Sequence, residues 1–115
     1  MSELKILLKK INEFRDARNW RQFHQPKDLA ISLCLEAAEV LEHFQWKNEE
    51  EIKNHITRNK EEMGDELADV LNYLLQLADE LGIDLAAAAH KKIAKNELKY
   101  PVQKSRNKHT KYTEL

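Results

Sequence analysis

With 115 residues and a formal net charge of −1 from 19 basic and 20 acidic side chains, the chain fits one domain and has no global pull toward a nucleic-acid polymer or an anionic membrane. Two glycines and two prolines are too few for a turn-rich β fold and favour helices. Cys34, the single cysteine, excludes an internal disulfide; the N-terminal segment mixes charges into its apolar residues, unlike a secretory leader, and no stretch reaches membrane-spanning length, so a reduced, cytoplasmic setting is expected.

The first helix is expected from Ser2 to Asn19, where Leu4, Leu7, Leu8, Ile11 and Phe14 recur at threes and fours. Trp20 to Gln25 reads as a linker, and Pro26 suits the first turn of a second helix reaching Trp46. Asn48 is placed to cap a third helix that opens on Glu49, Glu50 and Glu51, acids that favour a helix N-terminus. That helix is expected to continue to Leu81, with a bend near Gly64, and to stop at Gly82. Asp84 caps the fourth helix, which runs to Lys99 before Pro101 ends it. Residues 1–100 are therefore read as the helical domain and residues 101–115, with Lys104, Arg106, Lys108 and Lys111, as a basic tail.

Two pairs of acids stand out. Glu36-Ala-Ala-Glu39 lies on the second helix and Glu66-Leu-Ala-Asp69 on the third, and residues three apart share a helix face. At about 100° per residue, Leu29, Leu33, Ala37, Val40 and Phe44 form the apolar stripe of the second helix, with Glu36 at its inner edge and Glu39 just beyond. On the third helix Leu67, Val70, Leu71, Tyr73, Leu74, Leu77 and Ala78 make a broad apolar arc that contains Glu66 and borders Asp69. Acids pressed toward a bundle interior are costly unless something pairs with them. Surface pairing with Lys or Arg is one outcome; a hard divalent cation such as Mg²⁺ or Mn²⁺, completed by substrate phosphates, is the other. Glu62-Met-Gly-Asp65 repeats the spacing one turn earlier, and spacing alone leaves both registers open. No Glu-x-x-His occurs, which sets aside a di-iron carboxylate bundle. His43 follows Glu39 by four residues and is within hydrogen-bond reach of it on a helix, although a lone histidine at such a place is more often a surface residue or one that supports a ligand than a ligand itself.

These acids, together with Asn19-Trp-Arg-Gln-Phe-His-Gln-Pro26, Phe44-Gln-Trp46, Asp65-Glu-Leu-Ala-Asp-Val70, Tyr100-Pro-Val102 and Lys111-Tyr-Thr-Glu-Leu115, resemble the all-α MazG-like nucleoside triphosphate pyrophosphohydrolases, in their dCTP pyrophosphatase branch. The resemblance runs from about Phe14 to the end. It implies a four-helix bundle that assembles as a homodimer or a dimer of dimers. It implies hydrolysis of a nucleoside triphosphate to monophosphate and pyrophosphate with Mg²⁺, for which Mn²⁺ could substitute. Glu36, Glu39, Glu66 and Asp69 become the metal-holding, catalytic set, rather than Glu62 and Asp65. Trp20, Arg21, Gln22, Phe23, His24, Trp46 and Tyr73 become the base-and-sugar pocket, and Lys92 and Asn96, four apart on the last helix, the phosphate-facing side. Flat aromatic faces suit a base, and His24 and Gln22 offer hydrogen bonds to its edge. One departure is Ile11, where the branch can carry a histidine facing the nucleotide; it implies leakage from dCTP toward other pyrimidines.

No serine or cysteine with a paired base is evident, so direct attack by water is expected, with Glu39 a candidate to take its proton. The competing reading is a non-catalytic helical module that binds nucleotide or a protein partner. It gives no reason for four acids to endure mutual repulsion.

Overall fold

The computed structural model describes residues 2–115, which are helical with no β-strand among them. The chain divides into two compact units, one ending at Gly82 and the other Ile83–Leu115. In the first, α1 (Glu3–Ala17) leads through a 3-10 turn (Arg21–Phe23) into α2 (Pro26–Glu42), followed by α3 (Glu49–Arg58) and α4 (Lys60–Glu80). In the second lie α5 (Leu85–Lys99), the short α6 (Val102–Ser105) and a 3-10 turn (Tyr112–Glu114).

Local chemistry sets the helix starts, and the stop at Gly82, as the sequence leads one to expect. Ser2 Oγ accepts from the Lys5 amide at the start of α1, and Pro26 opens α2. Asn48 and Glu51 form a reciprocal capping box, with the Glu51 amide donating to Asn48 Oδ1 at 2.9 Å and the Asn48 amide to Glu51 Oε1 at 3.3 Å. Gly82, at φ 66°, closes α4 in the left-handed region, and Asp84 Oδ1 accepts from the Ala87 amide to start α5.

The expected third helix is two helices. The break falls at Asn59, not near Gly64, which lies inside α4. Asn59 has φ −122° and ψ 25°, and its side-chain amide donates to the His55 carbonyl, so local side-chain bonding replaces the continuing helix. The second helix also ends earlier than expected, at Glu42, with residues 43–46 forming a turn. The tail is not featureless: Tyr100 and Tyr112 pack edge to face at 5.9 Å, with Lys99 Nζ 4.7 Å from the Tyr112 ring centre.

In the first unit α2 and α4 make the main pairing, and α1 and α3 also lie against α4. Leu29, Leu75 and Ala78 are buried, and Leu33, Val40 and Phe44 half-buried, whereas Ala37, placed in the same stripe by helical periodicity, is exposed. Ile31, Leu35 and Leu67 are also exposed on α2 and α4, so this unit leaves much apolar surface uncovered. No helix among the described residues is long and apolar enough to cross a membrane.

Candidate metal centre and nucleotide cleft

The pairing of α2 with α4 puts Glu36 within range of the charges of Glu39, Glu66 and Asp69, but no three of these four acids converge at ligand distance; among the described residues the acids that do converge are Glu62 and Glu66, with His43. Glu36 is half-buried and its Oε2 is fully buried with no hydrogen-bond partner. Its carboxyl is pushed above the ordinary range, first by burial, then by the adjacent carboxyl of Glu39, and further by the charges of Asp69 and Glu66. Glu66 is half-buried, while Glu39 and Asp69 are exposed, as their positions relative to the apolar stripes imply. An orphaned, buried carboxylate oxygen beside three more carboxylates is a site short of positive charge. Hard oxygen donors of this kind fit a divalent cation such as Mg²⁺.

Glu66 also belongs to a second grouping. One ligand atom each from His43, Glu62 and Glu66 lies within 4.8 Å of the others. Helical spacing pairs His43 with Glu39; instead, its Nε2 meets the Glu66 carboxyl across the helix pair. His43 keeps a helical backbone conformation (φ −64°, ψ −23°) and stands seven residues after Glu36, two turns along the same face, so its ring lies on the side toward α4. Asp65 is exposed and takes no part in this grouping.

Asp69 joins the acids to a cleft of about 420 Å³ in the first unit, between α1, the linker and α4. Trp20, His24 and Tyr73 line it, and so does Ile11. Trp20 is 43% exposed and packs edge to face on Phe14 at 5.7 Å. The Arg18 guanidinium lies 3.6 Å from the centre of the Phe14 ring and steadies this aromatic wall. His24 Nδ1 is buried without a hydrogen-bond partner, leaving a ring nitrogen unused beside the cleft.

The cleft does not take in every expected pocket residue. Arg21, Gln22 and Phe23 form the exposed 3-10 turn and are not among its lining, and Gln22 Nε2 is occupied by the Asn19 carbonyl at 3.0 Å. Trp46 is 91% exposed, at φ 65°, and does not line the cleft within this chain. Lys92 and Asn96 lie exposed on α5 of the second unit. The ammonium of Lys92 is held below its ordinary pKa, chiefly by the like charge of Lys99.

Other lining residues were not singled out from the sequence. Arg15 is a buried cation whose Nε donates to Asp16 Oδ1 at 2.9 Å and whose Nη1 is 3.8 Å from Glu80 Oε1. Leu7, Ile11 and Arg15 fall at steps of four on α1, and Asp69, Asn72, Tyr73 and Gln76 at threes and fours on α4. Extending the spacing from Ile11 and Asp69 would have found Arg15, Asn72 and Gln76.

The crowding at Glu36 has a stability consequence. A carboxyl whose folded pKa is raised contributes stability at low pH that is lost as pH rises through the folded value. Near neutrality the metal-free fold therefore carries this penalty. Glu36→Gln should raise the thermal midpoint of metal-free protein at pH 7 by a few degrees and flatten its fall with rising pH, measured by circular dichroism in chelator. A midpoint lowered at pH 7 would contradict the crowding.

Comparison with known proteins agrees with this architecture. The chain is 42% identical over 105 residues to rat dCTP pyrophosphatase 1 and 40% identical to the human protein of that name, in each case covering 90% of this chain. It spans 62% of the length of these relatives. A crystal structure of a pyrophosphatase from Archaeoglobus fulgidus superimposes with a TM-score of 0.82 at 44% identity, covering 88% of this chain and 94% of that one. The MazG-like family profile matches residues 31–115, and with relatives of this similarity the chain belongs to the MazG-like family.

Proposed function

We propose that the chain hydrolyses a nucleoside triphosphate between its α and β phosphates, yielding monophosphate and pyrophosphate, with a divalent cation held by Glu36, Glu39, Glu66 and Asp69. The observation that carries this reading is the buried, unpartnered Glu36 oxygen, on a carboxyl that the charges of Glu39, Asp69 and Glu66 press upward; Asp69 also lines the aromatic cleft. Mg²⁺ is the proposed ion, with Mn²⁺ as substitute, because the donors are carboxylates and a polyphosphate supplies the remaining oxygens. Bound there, the cation would neutralise phosphate charge and lower the pKa of a water. Glu39, exposed on the same helix face as Glu36, is the proposed acceptor of the attacking water's proton.

The proposed substrate is dCTP or a related pyrimidine nucleotide, since the chain resembles proteins named dCTP pyrophosphatase 1. Trp20 offers a stacking face, His24 a ring nitrogen for the base edge, and Tyr73 an aromatic side chain between Asp69 and the rest of the cleft. For Arg21, Gln22, Phe23, Trp46 and Asn96 the assignment rests on the family resemblance. For Lys92 the assignment likewise rests on the family resemblance. Ile11 lines the cleft and offers no hydrogen bond, so selectivity among pyrimidines should be loose. The test is Mg²⁺-dependent release of pyrophosphate from dCTP, dTTP, dUTP and dATP. The expected order puts dCTP first with measurable dTTP and dUTP turnover. Release of orthophosphate in place of pyrophosphate, or no turnover of any of the four, would overturn the reading.

Assembly is proposed as a homodimer or homotetramer. Ile31, Leu35 and Leu67 are exposed while the buried apolar set of the first unit is small. Light scattering at micromolar concentration should give at least twice the 13.6 kDa chain mass. A stable, active monomer would refute it.

A further inference from the structure

His43 is 7% exposed, and both of its ring nitrogens are engaged. Nδ1 lies 2.6 Å from His55 Nε2, and Nε2 meets Glu66 Oε2. Behind it, His55 Nδ1 lies 3.1 Å from Asn59 Nδ2. The direction of this chain follows from its far end. Asn59 Nδ2 is also 3.1 Å from the His55 backbone carbonyl, which only accepts, so the nitrogen end of the amide faces His55. His55 Nδ1 must then accept, which puts the proton of His55 on Nε2. That proton points at His43 Nδ1, which accepts in turn and leaves the proton of His43 on Nε2, aimed at Glu66. Burial, then the nearby charge of Lys47, disfavours the charged form of His55 and agrees with a neutral ring.

We propose that His43, oriented by His55 and Asn59, is a positioning residue that holds the Glu66 carboxylate for the divalent cation by donating a hydrogen bond from Nε2. The proposal rests on the metal reading above. It also decides between two roles for His43, whose ring nitrogen lies close enough to Glu62 and Glu66 to be counted with them as a ligand. Ligation through Nε2 would require both imidazole rings to reverse tautomer, which would set the His55 Nδ1 proton against the Asn59 amide; in the hydrogen-bond chain as it stands His43 orients a ligand and is not one. A neutral donor suits the task. It occupies Glu66 Oε2 and fixes the carboxylate plane, leaving Oε1 for the ion, whereas a lysine or arginine there would compete with the cation for the carboxylate charge. His43 stands at the end of α2, His55 in the last turn of α3 and Asn59 between α3 and α4, so the line joins three elements.

The test uses Mn²⁺ binding to the full chain without nucleotide, read from the electron paramagnetic resonance of the free ion. Partners of metal-bound side chains are worth about 10–100-fold in affinity when removed. His43→Leu should weaken Mn²⁺ binding by that order, and His43→Gln, which keeps an N–H donor at similar reach, should recover most of the loss. His55→Leu should weaken it less and in the same direction. In the wild type, pulsed resonance should show no directly coordinated nitrogen, and ¹⁵N spectra of metal-free protein should place the protons of His43 and His55 on Nε2. A folded His43→Leu with wild-type affinity, a directly bound nitrogen, or a proton on His43 Nδ1 would each overturn the proposal. If His43→Leu does not fold, the nitrogen spectra of the wild type decide. A wild type that binds no Mn²⁺ removes the metal reading and this proposal with it; a wild type that binds while His43→Leu binds equally well removes the proposal alone.

Discussion

Asp69→Asn and Glu39→Gln should each lower turnover of the preferred triphosphate by on the order of a thousandfold at saturating Mg²⁺, about 4 kcal/mol of transition-state stabilisation. Neither should unfold the protein. Both positions are exposed, both replacements keep side-chain volume, and each removes a charge from a cluster that already presses the Glu36 carboxyl upward. Circular dichroism should therefore show an unchanged fold with a midpoint equal to or above wild type in chelator. Asp65→Asn is the control and should change turnover by no more than a few-fold, since Asp65 is exposed and outside both acid groupings. Glu62→Gln is a less neutral comparison than spacing suggests, because a Glu62 oxygen lies within 4.8 Å of ligand atoms of His43 and Glu66. Its effect should fall between the two classes. Near-wild-type turnover in Asp69→Asn or Glu39→Gln would show that the ligands have been misassigned.

The burial of these acids was legible before the fold. Helical periodicity placed Glu36 at the inner edge of its apolar stripe with Glu39 just beyond, and Glu66 inside its arc with Asp69 at the border, and the burial follows that order. Periodicity works here because each of these acids sits within a regular helix, where 100° per residue holds. It does not give partners across elements. His43 was paired with Glu39 four residues back, whereas it also stands seven after Glu36, and its partner Glu66 on α4 depends on a helix pairing that no local pattern encodes. The break at Asn59 is of the same kind: an asparagine interrupts a helix only when its side chain has a better local partner, here His55. Arg15 shows a third limit. A cation on an amphipathic helix reads as a solvated side chain; Arg15 is buried with Asp16 beside it at 2.9 Å and Glu80, sixty-five positions away, at 3.8 Å, and only the first of these partners is visible in the local sequence. Trp46 shows the reverse, an aromatic that suggests a packed or stacked site and stands 91% exposed on a left-handed turn.

That contrast between the two tryptophans leads to the second large effect. Trp20→Ala should raise KM for the preferred triphosphate by roughly ten- to a hundredfold, because stacking a base on an aromatic face is worth about 1–3 kcal/mol and this face lines the cleft that Asp69 joins to the acids. Its edge-to-face packing on Phe14, with Arg18 over the Phe14 ring, fixes the indole before substrate arrives, so little ordering remains to be done on binding. The loss should appear in KM with kcat nearly unchanged, since stacking is felt equally in ground and transition states. It should also be similar for dCTP, dTTP and dUTP, whereas His24→Ala should narrow the differences between them by removing an edge contact. Trp46→Ala separates two arrangements. Trp46 does not line the cleft within this chain, so a KM effect as large as that of Trp20→Ala would point to a second copy bringing it to the nucleotide, and should vanish in any variant that is monomeric by light scattering. A Trp20→Ala variant with unchanged KM for all three pyrimidine triphosphates would remove the base site from this cleft and leave the metal centre standing.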